Sequence, residues 1–503
     1  MSVPLDPHAP SSPPPDPDHA VHAGKADMRR GFLWLGGASA VARILDTLSV
    51  VVIMWFTSRE QLGLATLAWS VAVFLEAMNG LGIGTSLLQA RDVSKARLAS
   101  AFWYTMGLAT ILVVVVSACS PLIASWFEQP ALAPLIAVSS LKLLFVGAAL
   151  IPLTILNRAT RFASIAAVQT GATLFASIVT CTLVFLGWNS WGLVIGQTSH
   201  GLATAVLAYY FSPYRPEGRF DRVLSREDMS FGVKITASGT LYHFYRNVDY
   251  YLIGRILGVG AVGVYRVAFD LAMTPTLAVL NVVGRSALPV YARLNDRPDK
   301  LKEAFLWTLR SLSILLAPIT AVLIFAAEDV LSFIDGGKWL DAAPMVRWLS
   351  CAALLRCIAQ TFPQIFQAMR RPVLAFYDAL LTATLIIAAL AGLLASYGAS
   401  HGAIAAAWSW TLIYPLELIA LVIMVRPLIQ LRWSDALRSV QHCLWMLLAM
   451  APAHAILAQL LPDHTIAWRP IAEVAAVLAV YFVYLRVVLG IRLNGSLFKR
   501  QAT

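Results

Sequence analysis

Apolar residues run through this chain in blocks of about twenty or more, and short polar links separate the blocks. A block of that length, at about 1.5 Å of rise per residue, crosses a hydrocarbon layer roughly 30 Å thick as a helix. In lipid only helices and closed barrels satisfy their own backbone, and these blocks are too long for barrel strands. The pattern predicts spans near 31–56, 62–88, 99–120, 134–156, 163–187, 191–212, 231–256, 262–291, 304–327, 343–368, 373–396, 401–425, 436–459 and 467–490, about fourteen in all.

Composition agrees. Of 503 residues, 59% are hydrophobic and 13% charged, with a mean hydropathy of +0.71, outside the range of a soluble globular protein. Residues 1–30 hold Pro4, Pro7, Pro10, Pro13, Pro14, Pro15 and Pro17 among Asp and His. Such a stretch buries no core and reads as a disordered cytoplasmic tail. Its basic residues, Lys25, Arg29 and Arg30, come late and precede a full-length span, which is not the order of a cleavable signal.

The links differ in charge. Alternate connections carry Arg91, Lys95 and Arg97, then Arg158 and Arg161, then Arg215, Arg219, Arg222 and Arg226, and so on to Arg426, Arg432 and Arg438. The connections between them carry only Arg59, Arg255, Lys338 and Arg469. Because cytoplasmic loops hold the excess of Lys and Arg, this alternation places both termini in the cytoplasm. It also explains the net charge of +11 without nucleic acid, since the basic residues cluster in links and not along one face.

The largest internal link, 213–230, divides a six-helix lobe at 31–212 from a second at 231–426, with two further helices and a tail in 427–503. The halves echo each other. ARILD in the first span carries Arg43 and Asp46, and YRNVD in the seventh carries Arg246 and Asp249, both as Arg-x-x-Asp. A glycine-led span follows each, at Leu62-Gly63 and at Val262-Gly263. The expected fold is therefore an all-α polytopic membrane protein with two pseudo-symmetric lobes plus a C-terminal pair.

Arg246 lies roughly 22 Å along its span, where a charge costs at least about 2.5–3.5 kcal/mol and should face the bundle interior, a partner or water. Glu76, Lys142, Arg266, Asp270, Arg285, Arg347, Arg356 and Glu417 sit at comparable depth. Several guanidinium groups in one interior suit an anion, above all a phosphate that Arg grips through paired hydrogen bonds. Arg43, Arg246, Arg266 and Arg285 are the candidate substrate-binding cations, with Tyr242 and Tyr245 as aromatic faces for sugar rings. Each has a plainer reading: Arg285 and Arg347 can snorkel, Arg266 and Asp270 at i and i+4 can neutralise one another, and tyrosines populate membrane interfaces.

Other chemistries find no footing. The chain has no Gly-x-x-x-x-Gly-Lys loop for ATP, its histidines are isolated, and Cys119, Cys181, Cys351, Cys357 and Cys443 fall in apolar segments without metal spacing. Neither a catalytic site nor a resident cofactor or metal is expected. A membrane-embedded polymerase would need a sizeable outer loop, and those at 121–133 and 328–342 are short. A scaffold for biosynthetic enzymes leaves the intramembrane charges unexplained.

The run NVDYYLIGRILGVGAVGVYRVAFDLAMTP at 247–275, followed by SALPVYARL at 286–294, resembles the second half of polysaccharide transporters in the multidrug/oligosaccharidyl-lipid/polysaccharide exporter superfamily. Asp249, Gly254, Gly258, Gly263, Tyr265, Ala268, Pro275, Pro289 and Tyr291 carry it, with a weaker echo at GLATLAWSVAVFLEAMNGLGIGTSLLQ. The resemblance implies a flippase of the Wzx type that moves an undecaprenyl-pyrophosphate-linked oligosaccharide to the periplasmic leaflet by alternating access. A multidrug exporter of that superfamily is the nearest alternative, though it would favour acidic and aromatic groups over arginines. Asp46, Glu76, Asp249 and Asp270 are the candidates for coupling to a proton or Na+, because a carboxylate released from an Arg can take either. The partners implied are the lipid-linked oligosaccharide, the bilayer, and a polysaccharide polymerase with its export machinery.

Overall fold

The computed structural model describes residues 45, 49–79, 83–89, 93–216, 244, 246–335, 337–460 and 468–487. These residues form helices joined by tight turns, with no strand among them. Residues 49–56 are helical. There follow α1 (Arg59–Asn79), α2 (Ile83–Gln89), α3 (Lys95–Trp126), α4 (Leu132–Ser140), α5 (Lys142–Arg158), α6 (Phe162–Phe185) and α7 (Asn189–Phe211). The second half comprises α8 (Val248–Ile256), α9 (Val259–Arg293), α10 (Pro298–Phe325), α11 (Ala327–Asp335), α12 (Ala343–Ala359), α13 (Phe362–Ala368), α14 (Pro372–His401) and α15 (Ile404–Ile429). A final pair, α16 (Trp433–Leu460) and α17 (Arg469–Val487), closes the described chain.

Local chemistry sets these limits. Ser58 and Gln61 form a reciprocal cap at the start of α1: the Ser58 backbone N–H donates to Gln61 Oε1 at 2.8 Å, and the Gln61 N–H donates to Ser58 Oγ at 3.2 Å. The second half solves the same turn with Gly258, whose φ of 84° a side chain would strain, just before α9. Ser94 caps α3 by accepting from the Arg97 N–H. Proline stands in the first turn of α10, α12, α13 and α14, where its missing donor costs nothing.

Among the described residues, ten helical segments are long and apolar enough to cross a membrane. The sixth expected span, α7, is too polar to count among them because Asn189, Gln197, Thr198, Ser199 and His200 interrupt it, and α1 is excluded with it. The first and seventh expected spans lie largely outside the described residues. Two expected spans are broken, 134–156 at Leu141 and 343–368 at Gln360 and Thr361, where Pro363 cannot continue the ladder, and the expected span 62–88 holds α1 and α2 with 80–82 outside the described residues. Pro275 and Pro318 lie inside the continuous helices α9 and α10.

Packing divides at the middle of the chain. Helices α3 to α7 pack on one another, α9 to α15 on one another, and α1 against α9 is the main seam between them. α16 and α17 pack together and against α10. Broad faces of α3 and α16, including Ile111, Val114, Leu122, Leu444 and Leu448, are exposed, as befits lipid contact.

Candidate functional site

Where α1 and α9 meet, two glycines let the backbones touch. A Cβ on Gly63 would stand 1.9 Å from the Val259 carbonyl oxygen, and one on Gly263 would stand 2.0 Å from the Arg59 carbonyl oxygen. The relation is reciprocal, because each glycine meets the carbonyl four residues before the other. It is what a two-fold axis between repeats would produce. Gly254 adds to the seam: a Cβ there would lie 3.1 Å from both Leu67 and Phe127 of the first half.

Polar clasps surround this crossing, all from the sparsely basic links. Arg59 pairs with Asp341 at 2.5 Å and donates to the Lys338 carbonyl at 2.9 Å. Lys338 Nζ donates to the carbonyls of Met54 and Thr57, and the buried Trp339 Nε1 donates to that of Met54 at 3.0 Å. Arg255 pairs with Glu128 at 2.9 Å. At the opposite end Lys302 pairs with Asp435 at 2.6 Å and Arg158 donates to the Leu87 carbonyl, each within its own half. The halves are thus joined at the end that carries Arg59, Arg255 and Lys338.

One turn deeper on α9, Arg266 bridges the seam. Its Nε lies 2.6 Å from Asp270 Oδ2, and its guanidinium lies over the Trp69 ring of α1 at 4.4 Å and near the Tyr250 ring at 5.8 Å. The cation, partly buried, is held between two aromatic rings and a carboxylate. Behind it lies Asp249, fully buried. Its Oδ2 accepts from the Tyr265 hydroxyl at 2.9 Å and from Trp410 Nε1 at 3.3 Å, while Oδ1 accepts from the Tyr250 N–H at 2.9 Å. Trp410 Nε1 also donates to Tyr265 Oη at 2.9 Å. Asp249 therefore fixes the position of Trp410, a tertiary role that its spacing from Arg246 does not suggest.

The other expected residues are dispersed. Glu76 on α1 pairs with Lys142 at 3.0 Å, at the break between α4 and α5. Arg246 sits half-buried in the turn before α8. Arg43, Asp46, Tyr242 and Tyr245 lie outside the described residues, as does the side chain of Arg285 on α9. Arg347 pairs with Glu328 at 2.7 Å near the clasped end. Sequence reasoning missed Trp69 and Trp410, and it missed Asp378, which shares a cavity with Arg356 and Glu417. The signal was available for Asp378, a lone carboxylate six residues inside α14.

The family described as "Polysaccharide biosynthesis protein" matches residues 52–344, which include both halves of the glycine crossing. The chain belongs to this family. It is 25% identical over 352 residues to "Lipopolysaccharide biosynthesis protein WzxC" of Escherichia coli (strain K12), covering 69% of this chain and 71% of that one. To "Succinoglycan biosynthesis transport protein ExoT" of Rhizobium meliloti (strain 1021) it is 23% identical over 368 residues, with 73% of each chain covered. Among solved structures, "Lipid II flippase MurJ, inward closed conformation" superposes with a TM-score of 0.74 at 15% identity, covering 91% of this chain and 99% of that one. A multidrug transporter of the MATE family in an inward-facing conformation gives a TM-score of 0.60 at 14% identity, covering 77% and 95%. The resemblance to polysaccharide transporters read from the sequence is borne out, and the fold is shared with these two multi-pass transporter structures.

Proposed function

We propose that this protein is a flippase that carries a lipid-linked oligosaccharide across the bacterial inner membrane, from the cytoplasmic to the periplasmic leaflet. The carrying observation is the reciprocal crossing of Gly63 and Gly263 with its clasps at one end of the bundle. By the distribution of Lys and Arg that end faces the periplasm, so the protein is closed outward and the cycle must open there. Membership of the polysaccharide biosynthesis family and the likeness to a polysaccharide transport protein support a glycan cargo and its transport.

The chemistry follows from the residues. A pyrophosphate entering from the cytoplasmic side meets Arg266, whose present partner Asp270 is a weaker bidentate acceptor than a phosphate with more charge. Transfer of the guanidinium to the phosphate loosens its stacking on Trp69 and so weakens the seam just beneath the glycines. The lobes then rock about the seam, the clasps part, and the head group is released outward while the prenyl tail stays in lipid. Asp270, relieved of its partner, and Glu76, paired with Lys142, are the groups we assign to proton or Na+ coupling. Asp249 is committed to Tyr265 and Trp410, which favours a positioning role over an ionic one, and Asp46 completes the set on the first span. No bond is made or broken in such a cycle, so the protein acts as a transporter and not as an enzyme.

The test is deletion of the protein in its own cell, followed by assignment of the lipid-linked oligosaccharide to a leaflet with a membrane-impermeant glycan-oxidising reagent on spheroplasts. The expected result is a shielded, cytoplasmic-leaflet pool that becomes reactive on complementation. Unchanged reactivity overturns the proposal.

A further inference from the structure

In the second half α9, α12, α13, α14 and α15 line a half-open cavity of about 710 Å³ to which Arg266 does not contribute. Its walls are polar rows at helical spacing. Gln360, Gln364 and Gln367 follow one another at i, i+4 and i+7 across the break between α12 and α13, and Asp378 and Thr382 stand at i and i+4 on α14. Three acceptor atoms there, Gln364 Oε1, Asp378 Oδ1 and Glu417 Oε2, are buried without a hydrogen-bond partner among the described residues. Asp378 and Glu417 are each only 7% exposed. Buried acceptors in that state cost about 1–3 kcal/mol each, so their clustering in one cavity points to a ligand that donates hydrogen bonds.

The fourth wall is aromatic. Trp410 and Tyr414, with Glu417 at i, i+4 and i+7 on α15, stack at 5.8 Å with 20° between their planes. Trp410 is held there through its Nε1 by Asp249 and Tyr265. On the facing side a Cβ at Gly284 of α9 would lie 2.8 Å from Gln364 Nε2, so the glycine leaves that amide its place. Carboxylate and amide acceptors for hydroxyls, beside an apolar ring face, are the groups that recognise a sugar. A bare cation fits less well, since the space is of small-molecule size and the described residues contain no cluster of three or more His, Cys, Asp or Glu able to hold a metal ion.

We propose that this cavity is a glycan subsite that binds neutral sugar residues of the lipid-linked substrate, with Gln364, Asp378 and Glu417 reading hydroxyls and the buried Trp410–Tyr414 stack backing that wall. It rests on the flippase reading and adds to it where the sugar end lies while the seam handles the phosphates. Two carboxylates against the single lining cation, Arg356, leave the cavity with an acidic excess that disfavours a uronic acid and favours uncharged glycosyl units.

The test is calorimetric titration of the purified full chain with the oligosaccharide released by mild acid from the cell's own lipid-linked pool, with NaCl alone as the comparison. Gln364→Ala, Asp378→Asn and Glu417→Gln lie on three different helices, and each is compared at matched melting behaviour. The expected result is binding that weakens at least tenfold in each. No binding of the sugar, or binding unchanged within twofold in variants that melt normally, overturns the subsite. So does a heat of Na+ binding that Asp378→Asn abolishes while sugar affinity is untouched. None of these outcomes alters the leaflet assay after deletion, which tests the flippase reading separately.

Discussion

Gly63 and Gly263 occupy mirrored places in a single contact, each admitting the carbonyl of the other's helix where a side chain would stand. A methyl at either position forces the backbones of α1 and α9 apart. Overpacking of this kind costs about 1–3 kcal/mol, which is roughly 5- to 150-fold in the balance between closed and open states. Gly63→Ala and Gly263→Ala are expected to raise labelling of a cysteine placed at Lys338 by an impermeant thiol reagent, and to slow transport through loss of the closed state. Two separate substitutions with the same phenotype would mark the contact as one device.

Asp249 gathers three donors in a dry site. Asp249→Leu leaves the Tyr265 hydroxyl and the Tyr250 N–H without that acceptor, while Trp410 Nε1 keeps the Tyr265 oxygen; at about 1–3 kcal/mol per orphaned group the protein should lose a large part of its margin of stability. Asp249→Asn keeps one acceptor oxygen and should fall between. The melting temperature in detergent reads the series, and transport by Asp249→Asn at near wild-type rate would exclude ion coupling at this residue.

The two halves and their charged interior were legible from the chain because they rest on period, length and link charge. Glycines at Leu62-Gly63 and Val262-Gly263 marked the second helix of each half, though not that the two would touch, since contact between distant segments leaves no local pattern. The Arg-x-x-Asp motif misled in part: spacing puts Arg246 and Asp249 on one face, but Asp249 is taken by Tyr265 and Trp410, residues 16 and 161 positions away. The cavity row was written in the sequence as Gln360, Gln364 and Gln367, polar amides in an apolar span, yet the break that gathers them depends on Pro363 and on the helices packed around it.

Arg266 stacks on Trp69 as a planar group, so charge alone does not replace it. Arg266→Gln is expected to lower the rate of glycan appearance in the outer leaflet at least tenfold, and Arg266→Lys to recover only part of it. A lysine variant with full activity would show that a point charge suffices.

Arg469 at the start of α17 is 1% exposed and pairs with Asp329 of α11 at 3.0 Å, while Glu473 and His454 meet at 3.0 Å nearby. Removing one partner of such a pair strands a buried charge at about 3–5 kcal/mol, whereas removing both can be nearly neutral. Asp329→Leu should therefore depress thermal stability sharply, and Asp329→Leu with Arg469→Leu should recover most of it. If the double variant melts as low as the single one, the ion pair does not anchor the C-terminal helices.

The most direct test of outward closure and rocking is to fix the clasped end. In a background lacking the five native cysteines, Arg59→Cys and Asp341→Cys would be joined by a short, reducible thiol crosslinker and transport measured by the leaflet assay. The account predicts that crosslinking stops delivery to the outer leaflet and that reduction restores it; delivery at an undiminished rate by the crosslinked protein would contradict it.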